Sequence, residues 1–287
     1  MRAILSVLMG WGLAASAAWG FDVTGLSTPE SLIVDPASGN YYIANINGSP
    51  TDKDNNGFIT RLDKTGRVMA MRFVEGAPLH APKGMAIVGQ TLYVSDIDTV
   101  RGFDKTTGNL TALIPLAALG ALFLNDLTAD DQGNLYVSDS AGFVNPAAPG
   151  AVFKIETKQG HRAAVFARDA ALGIPNGLMI HPKTKRLLVN TWGTGKIIEI
   201  SSEGAPSLWM AHDAWQDLDG FDYDTTGNFY ISSFTGGKIF RITPDRKSVL
   251  IARDLITPAD VNIDRKNNLL LVPSFKSHTA TTLPILP

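Results

Sequence analysis

Glu30, Lys83, Asn125, Asn176, Asp219 and Ala259 occupy equivalent points in six repeated segments. Each lies five residues before the residue that closes the segment's first strand: Asp35, Val88, Asp130, His181, Asp224 and Asp264. Four of the six offer oxygen donors, two as carboxylates and two as amides. Hard divalent cations such as calcium take several oxygen ligands, with water completing the shell. Glu30 and Asp219 together balance a divalent charge. The chain has no cysteine, and no histidine falls at this level, which disfavours zinc. Taken singly, Asn and Asp are ordinary turn formers. Agreement in register across four segments is what points to a metal site at Glu30, Asn125, Asn176 and Asp219. Lys83 stands at the same level and opposes it, because an ammonium repels a divalent cation. Lys83 either pairs with Asp126 or Asp260, the residues that follow two of these positions, or fills the cation's place.

One repeated phrase must position these residues. A turn with Gly or Asn leads into an apolar strand that ends in a small polar residue. Gly133-Asn134-Leu135-Tyr136-Val137-Ser138-Asp139 is the clearest copy. The copies centre on Ile43, Val94, Val137, Val189, Ile231 and Val272, at steps of 51, 43, 52, 42 and 41 residues. That is the period of a four-stranded propeller blade. Segments such as Lys196–Ile200 and Lys238–Ile242 alternate apolar and polar residues, as half-buried strands do. No long amphipathic helix is present, and Leu116–Leu124 offers one short helical turn. The reading is all-β, a six-bladed β-propeller, which a closed ring of six copies favours over an open solenoid. Either Thr279–Leu286 or the residues just after Gly20 supply the last strand.

Composition sets the surroundings. Met1-Arg2, the apolar run Ala3–Ala18 and Ala18-Trp19-Gly20 have the layout of a secretory signal peptide. The run is short for a membrane span, which needs roughly 20 apolar residues. Residues 1–20 are therefore expected to be removed, leaving 21–287 as a single domain that is periplasmic or secreted. That remainder holds 24 basic and 27 acidic residues, with no basic patch, so nucleic acid is excluded as a partner. No second run is long enough to enter a membrane. An exported chain without disulfides must be held together by its core.

The chain resembles the senescence-marker-protein/gluconolactonase family of six-bladed propellers, which includes regucalcin. Pro29-Glu30-Ser31, Leu124-Asn125-Asp126, Pro175-Asn176-Gly177-Leu178 and Leu218-Asp219-Gly220-Phe221 carry the likeness. The resemblance implies a divalent metal, usually calcium, and hydrolysis of a lactone or related ester. It matches Glu30, Asn176 and Asp219 to metal ligands. It matches Asn125 to a residue that binds metal or substrate, and Asp219 to the catalytic base or nucleophile. Sugar-lactone members carry an arginine where this chain has Phe123. The substrate is therefore expected to be less polar than gluconolactone, or held differently.

Lys83, Phe123, Asn125, Asp139 and Trp192 are the candidate contacts to a small-molecule substrate. The second-strand ends Asn45, Asp96, Asp139, Thr191 and Ser233 are turn formers by default, and Trp192 and Phe234 rim packing. Asp52-Lys53-Asp54-Asn55-Asn56-Gly57 imitates the opening of an EF-hand loop but lacks flanking helices, so it reads as a solvated loop near the channel. His212 reads as a surface histidine. No Gly-x-Ser-x-Gly elbow or phosphate loop is present. The sequence thus predicts a calcium-dependent lactonase or esterase. The alternative is a non-catalytic ligand- or protein-binding propeller, which Lys83 and the missing arginine favour.

Overall fold

The computed structural model describes residues 20–285; most of the predicted signal segment, and Leu286, lie outside them. Six four-stranded antiparallel sheets form the blades of a propeller. The first five sheets follow chain order from inner to outer strand, with inner strands Pro29–Val34, Pro82–Val88, Leu124–Ala129, Ile174–Ile180 and Leu218–Tyr223. Among the described residues the only helices are four single 3-10 turns, one of them at Ala117–Leu119. None is long and apolar enough to cross a membrane.

Each repeated phrase is the second strand of a blade, and its central residue faces the inner strand. Ile43 pairs with Leu32, Val94 with Met85, Val137 with Leu127, Val189 with Leu178 and Ile231 with Phe221. The turn between these strands is held by its first residue. The Asp130 carboxylate accepts from the Gln132 and Asn134 amides, Asp224 from Thr226 and Asn228, and Asp264 from Lys266 and Asn267. A short acceptor that bonds its own backbone two residues on fixes the turn without tertiary help.

Six apolar clusters fill the seams between neighbouring blades. Phe103, Val94 and Met85 meet Tyr42 and Ile59 between the first and second. Leu26, Leu32 and Tyr41 meet Leu269 and Leu271 between the first and sixth, so the ring closes. Both segments proposed from sequence supply the closure. Thr279–Pro284 is the third strand of the last blade, and Asp22–Val23 is its fourth, with Asp22 opposite Thr281. Phe21 and Thr282 exchange hydrogen bonds beside that strand.

Tyr41 ties the same seam with a polar contact. Its buried hydroxyl donates to Asp264 Oδ2 at 2.7 Å, and burial with the adjacent carboxylate raises its pKa. Tyr41→Phe should lower the unfolding free energy by about 1.5–3 kcal/mol, the range for a hydrogen bond to a charged group. Urea titration measures it. A loss below about 0.5 kcal/mol would show that apolar packing alone closes the ring.

Candidate functional site

In the first five blades the residue predicted to face the channel sits where the inner strand slips register. The pairing breaks between Pro29 and Ser31, Pro82 and Met85, Leu124 and Leu127, Pro175 and Leu178, and Leu218 and Phe221. A bulge re-aims the side chain it carries. It turns Glu30, Lys83, Asn125, Asn176 and Asp219 toward one cavity, of about 390 Å³, which all five line. Ala259, the sixth position, is fully buried but is not part of that lining.

The bulges are fixed by the small polar residues of the second strands, which also reach the next blade. Asn190 accepts from the Gly177 amide at 3.0 Å and donates to the Asp219 carbonyl at 2.5 Å. Ser232 accepts from the Gly220 amide at 2.8 Å and donates to the Ala259 carbonyl at 2.7 Å. Ser140 donates to the Pro175 carbonyl and accepts from Asn125 Nδ2 at 3.1 Å, which turns the Asn125 carbonyl oxygen away from that bond. Ser95 donates to the Asn125 backbone carbonyl, leaving the side-chain Oδ1 free. Glycine follows Asn176 and Asp219 because the next blade occupies the side-chain space. A Cβ on Gly177 would lie 2.2 Å from the Asp219 carbonyl oxygen, and one on Gly220 1.8 Å from the Val261 amide.

All four predicted metal ligands have a buried oxygen without a hydrogen-bond partner: Glu30 Oε2, Asn125 Oδ1, Asn176 Oδ1 and Asp219 Oδ1. Buried acceptors are seldom left unpaired, and each demands an explanation. Among the described residues no three His, Cys, Asp or Glu side chains are grouped to hold a metal; here two carboxylates and two amides provide the donors. That mixed oxygen set suits a hard cation.

The electrostatics point the same way. Burial, then Asp219, pushes the Glu30 carboxyl well above its usual range, against the pull of Lys83. Burial, then Asp260 and Asp126, does the same to Asp219. Asp126 and Asp260 follow two of the site positions. Burial pushes Asp126 up to about 6, and burial with Asp126 and Glu30 raises Asp260. Of these four acids, Glu30 is the one that acts on the buried Lys83 ammonium. Lys83 is 2% exposed, and burial lowers its pKa to about 8 despite Glu30 and Asp96.

Lys83 does not pair with Asp126 or Asp260. Its ammonium donates to the Ala81 carbonyl at 3.0 Å and lies 4.3 Å from the centre of the Phe123 ring. The acids are engaged elsewhere: Asp126 accepts from the Leu127 and Leu178 amides, and Asp260 from the Asn262 side chain. Phe123 and Trp192 line the cavity. Asp139 does not. Its carboxylate accepts from the Leu122 and Phe123 amides, so it fixes the approach to the inner strand. Asp96 does the same for His80 and Ala81, and Asn45 for Ser27. Pro50 and Thr51 line the cavity beside the EF-hand-like loop, whose Asp54 caps Asn56 and whose Lys53 bridges Asp98. His212 is exposed against Trp215. The sequence reading missed Ser140, Phe143 and Phe275. Phe275 had a signal, since it occupies the repeat position of Trp192 and Phe234.

The family model of the SMP-30/Gluconolactonase/LRE-like region matches residues 28–260. No curated protein matches the chain. Among solved structures, a candidate gluconolactonase superposes with a TM-score of 0.69 at 16% identity, over 93% of this chain and 92% of that one. A luciferin-regenerating enzyme gives 0.67 at 15% identity, over 93% and 96%. A calcium-binding protein, regucalcin from Agrobacterium tumefaciens, gives 0.65 at 16% identity, over 91% and 90%. At these identities the structures share the fold.

Burial of the four acids, reinforced by neighbouring carboxylates, sets a pH dependence. Carboxyls raised in the folded state contribute stability that is full below about pH 4, their unfolded range, and is lost as pH rises through the folded values. For Asp126 that loss centres near 6. With chelator present, Asp219→Asn should be more stable than wild type near neutral pH by at least about 1 kcal/mol. The gap should shrink toward about pH 4.5. Urea unfolding at both pH values checks this, and a gap independent of pH would show that the Asp219 carboxyl is not raised in the folded state.

Proposed function

The chain belongs to the SMP-30/gluconolactonase/LRE-like family, and from that membership and the cavity geometry we propose a divalent-cation-dependent hydrolase of lactones or related esters. The observation that carries the proposal is the set of four unpartnered buried oxygens, one from each of four blades, around a single cavity. Glu30, Asn125, Asn176 and Asp219 would hold the cation, with calcium the best match to their oxygens. When bound, it would polarise the scissile carbonyl. Family members being lactonase-like supports the reaction class.

Asp219 is the residue to receive a proton from the attacking water at its carboxylate, or to attack the carbonyl itself. The Asp219 backbone carbonyl is held by Asn190, which limits movement of the side chain. Glu30 and Asn176 orient the same end of the cavity. Asn125 is fixed by Ser140 with its carbonyl oxygen free. The Lys83 ammonium has one protein acceptor, Ala81. Its remaining protons can donate to an oxyanion in a site shielded from water, where such bonds are strongest. Covered by a bound substrate, the apolar walls would exclude bulk water from the reacting carbonyl. Export by residues 1–20 would place the reaction outside the cytoplasm.

Lys83 also favours a second reading, a binding propeller in which its ammonium replaces the cation beside Glu30. Calorimetry with calcium separates the two. Wild type should bind, and Glu30→Gln combined with Asp219→Asn should not. Asp219→Asn alone should lower kcat/KM for ester or lactone hydrolysis by at least about 100-fold. Full activity of that variant would refute its catalytic role, and absence of calcium binding in wild type would favour the second reading.

A further inference from the structure

Five aromatic rings share the cavity with the orphaned oxygens. Phe123, Phe143, Trp192, Phe234 and Phe275 all line it. They touch in series: Phe123 to Phe143 at 5.4 Å between ring centres, Phe143 to Trp192 at 5.3 Å, Trp192 to Phe234 at 5.3 Å, and Phe234 to Phe275 at 5.6 Å. Each contact is tilted or edge-on, the arrangement that aromatic pairs prefer. The arc crosses the third to the sixth blade. Phe275 then packs on the cluster of Ile46, Ala81 and Ile97, which carries the apolar wall to the first and second blades.

Phe123 is buried against the Lys83 ammonium, but the other four rings are not seam core. The seam residues Ile43, Val94, Val137, Val189 and Ile231 have no exposure. Phe143 is 40% exposed, and Trp192, Phe234 and Phe275 are half-buried. Three of the rings follow from the repeat. The residue three places after each central position is Ile46, Ile97, Ser140, Trp192, Phe234 and Phe275. Four of these, Ile46, Trp192, Phe234 and Phe275, line the cavity, and three of the four are aromatic. Phe143 comes instead from the 3-10 turn Ala141–Phe143. A concave apolar wall facing a few convergent polar groups is the form of a small-molecule site.

We infer that the five-ring arc is the specificity surface of the site, and that the substrate is an ester or lactone with a long alkyl or aryl body lying on it. The inference rests on the hydrolase reading for the reaction, and on the arc alone for the body of the ligand. A polyhydroxylated sugar lactone would place hydroxyls against rings that offer few partners, leaving its polar groups unsatisfied. An apolar body would instead cover ring faces now open to water, with the carbonyl toward Lys83 and the oxygen donors.

The test compares γ-undecalactone with γ-butyrolactone, which differ only in the alkyl chain, and follows calorimetric binding as well as hydrolysis. For wild type with calcium, kcat/KM for the long-chain lactone should exceed that for the short one by at least about 100-fold, mostly through KM. Trp192→Ala and Phe234→Ala should shrink the ratio at least about tenfold, with retained calcium binding showing that the variants are folded. Comparable rates for the two lactones would overturn the arc as specificity surface and leave the hydrolase reading standing. Arc-dependent binding of γ-undecalactone without hydrolysis would support the arc and overturn the hydrolase reading. Neither binding nor hydrolysis of the long-chain lactone would overturn both.

Discussion

The structure depends on how near the inner strands come to one another around the axis. At Gly177 and Gly220 the neighbouring blade's backbone stands where a side chain would be. Strands this crowded cannot continue a regular ladder, so each slips register, and buried amides and carbonyls lose their ladder partners. Leaving them unpaired would cost about 1–3 kcal/mol each. Asn190 and Ser232 meet that demand from the second strand, accepting from one blade and donating to the next. The same slip turns Glu30, Asn125, Asn176 and Asp219 inward. The site is thus a product of ring closure, and its geometry is as rigid as the closure itself.

That rigidity has an electrostatic cost, which the site turns to use. Glu30, Asp126, Asp219 and Asp260 are all buried, and the buried Lys83 acts on Glu30 alone of the four. A buried carboxylate is tolerated when it is paired or coordinates a metal. Asp126 and Asp260 are partly satisfied by hydrogen bonds, whereas Glu30 and Asp219 each keep an oxygen with none. The cavity therefore combines an unmet demand for positive charge with an apolar wall. A cation would answer the first, and the apolar body of a ligand would cover the second.

Much of this was legible in the sequence, for reasons that can be named. The repeat is read easily because each second strand must be apolar on both faces, as Val137 and Val189 are, while Asp130 and Asp224 punctuate the turns. Counting back from those turns located Glu30, Lys83, Asn125, Asn176 and Asp219 together, since a common fold keeps a common register. The bulges themselves left no trace, because a register slip depends on the neighbouring blade and not on local alternation. Asp139 looked like a site residue because it ends a strand near the cavity, but its carboxylate turns back to the Leu122 and Phe123 amides. Lys83 invited an ion pair and instead took a carbonyl and a ring. Phe143 was hidden in an irregular turn, outside the repeat.

The seam of the ring brings residues from opposite ends of the described chain into one sheet. Asp22 lies opposite Thr281, and the Phe21–Thr282 bonds join residues 261 apart in sequence. Contacts of such separation carry a large loop-closure entropy before they return any stabilisation. The five continuous blades can form as hairpins from local sequence, but the sixth is incomplete until the first-made strand comes round to it. Assembly of this protein accordingly has a built-in order, in which the blade that locks the ring is the one that must wait.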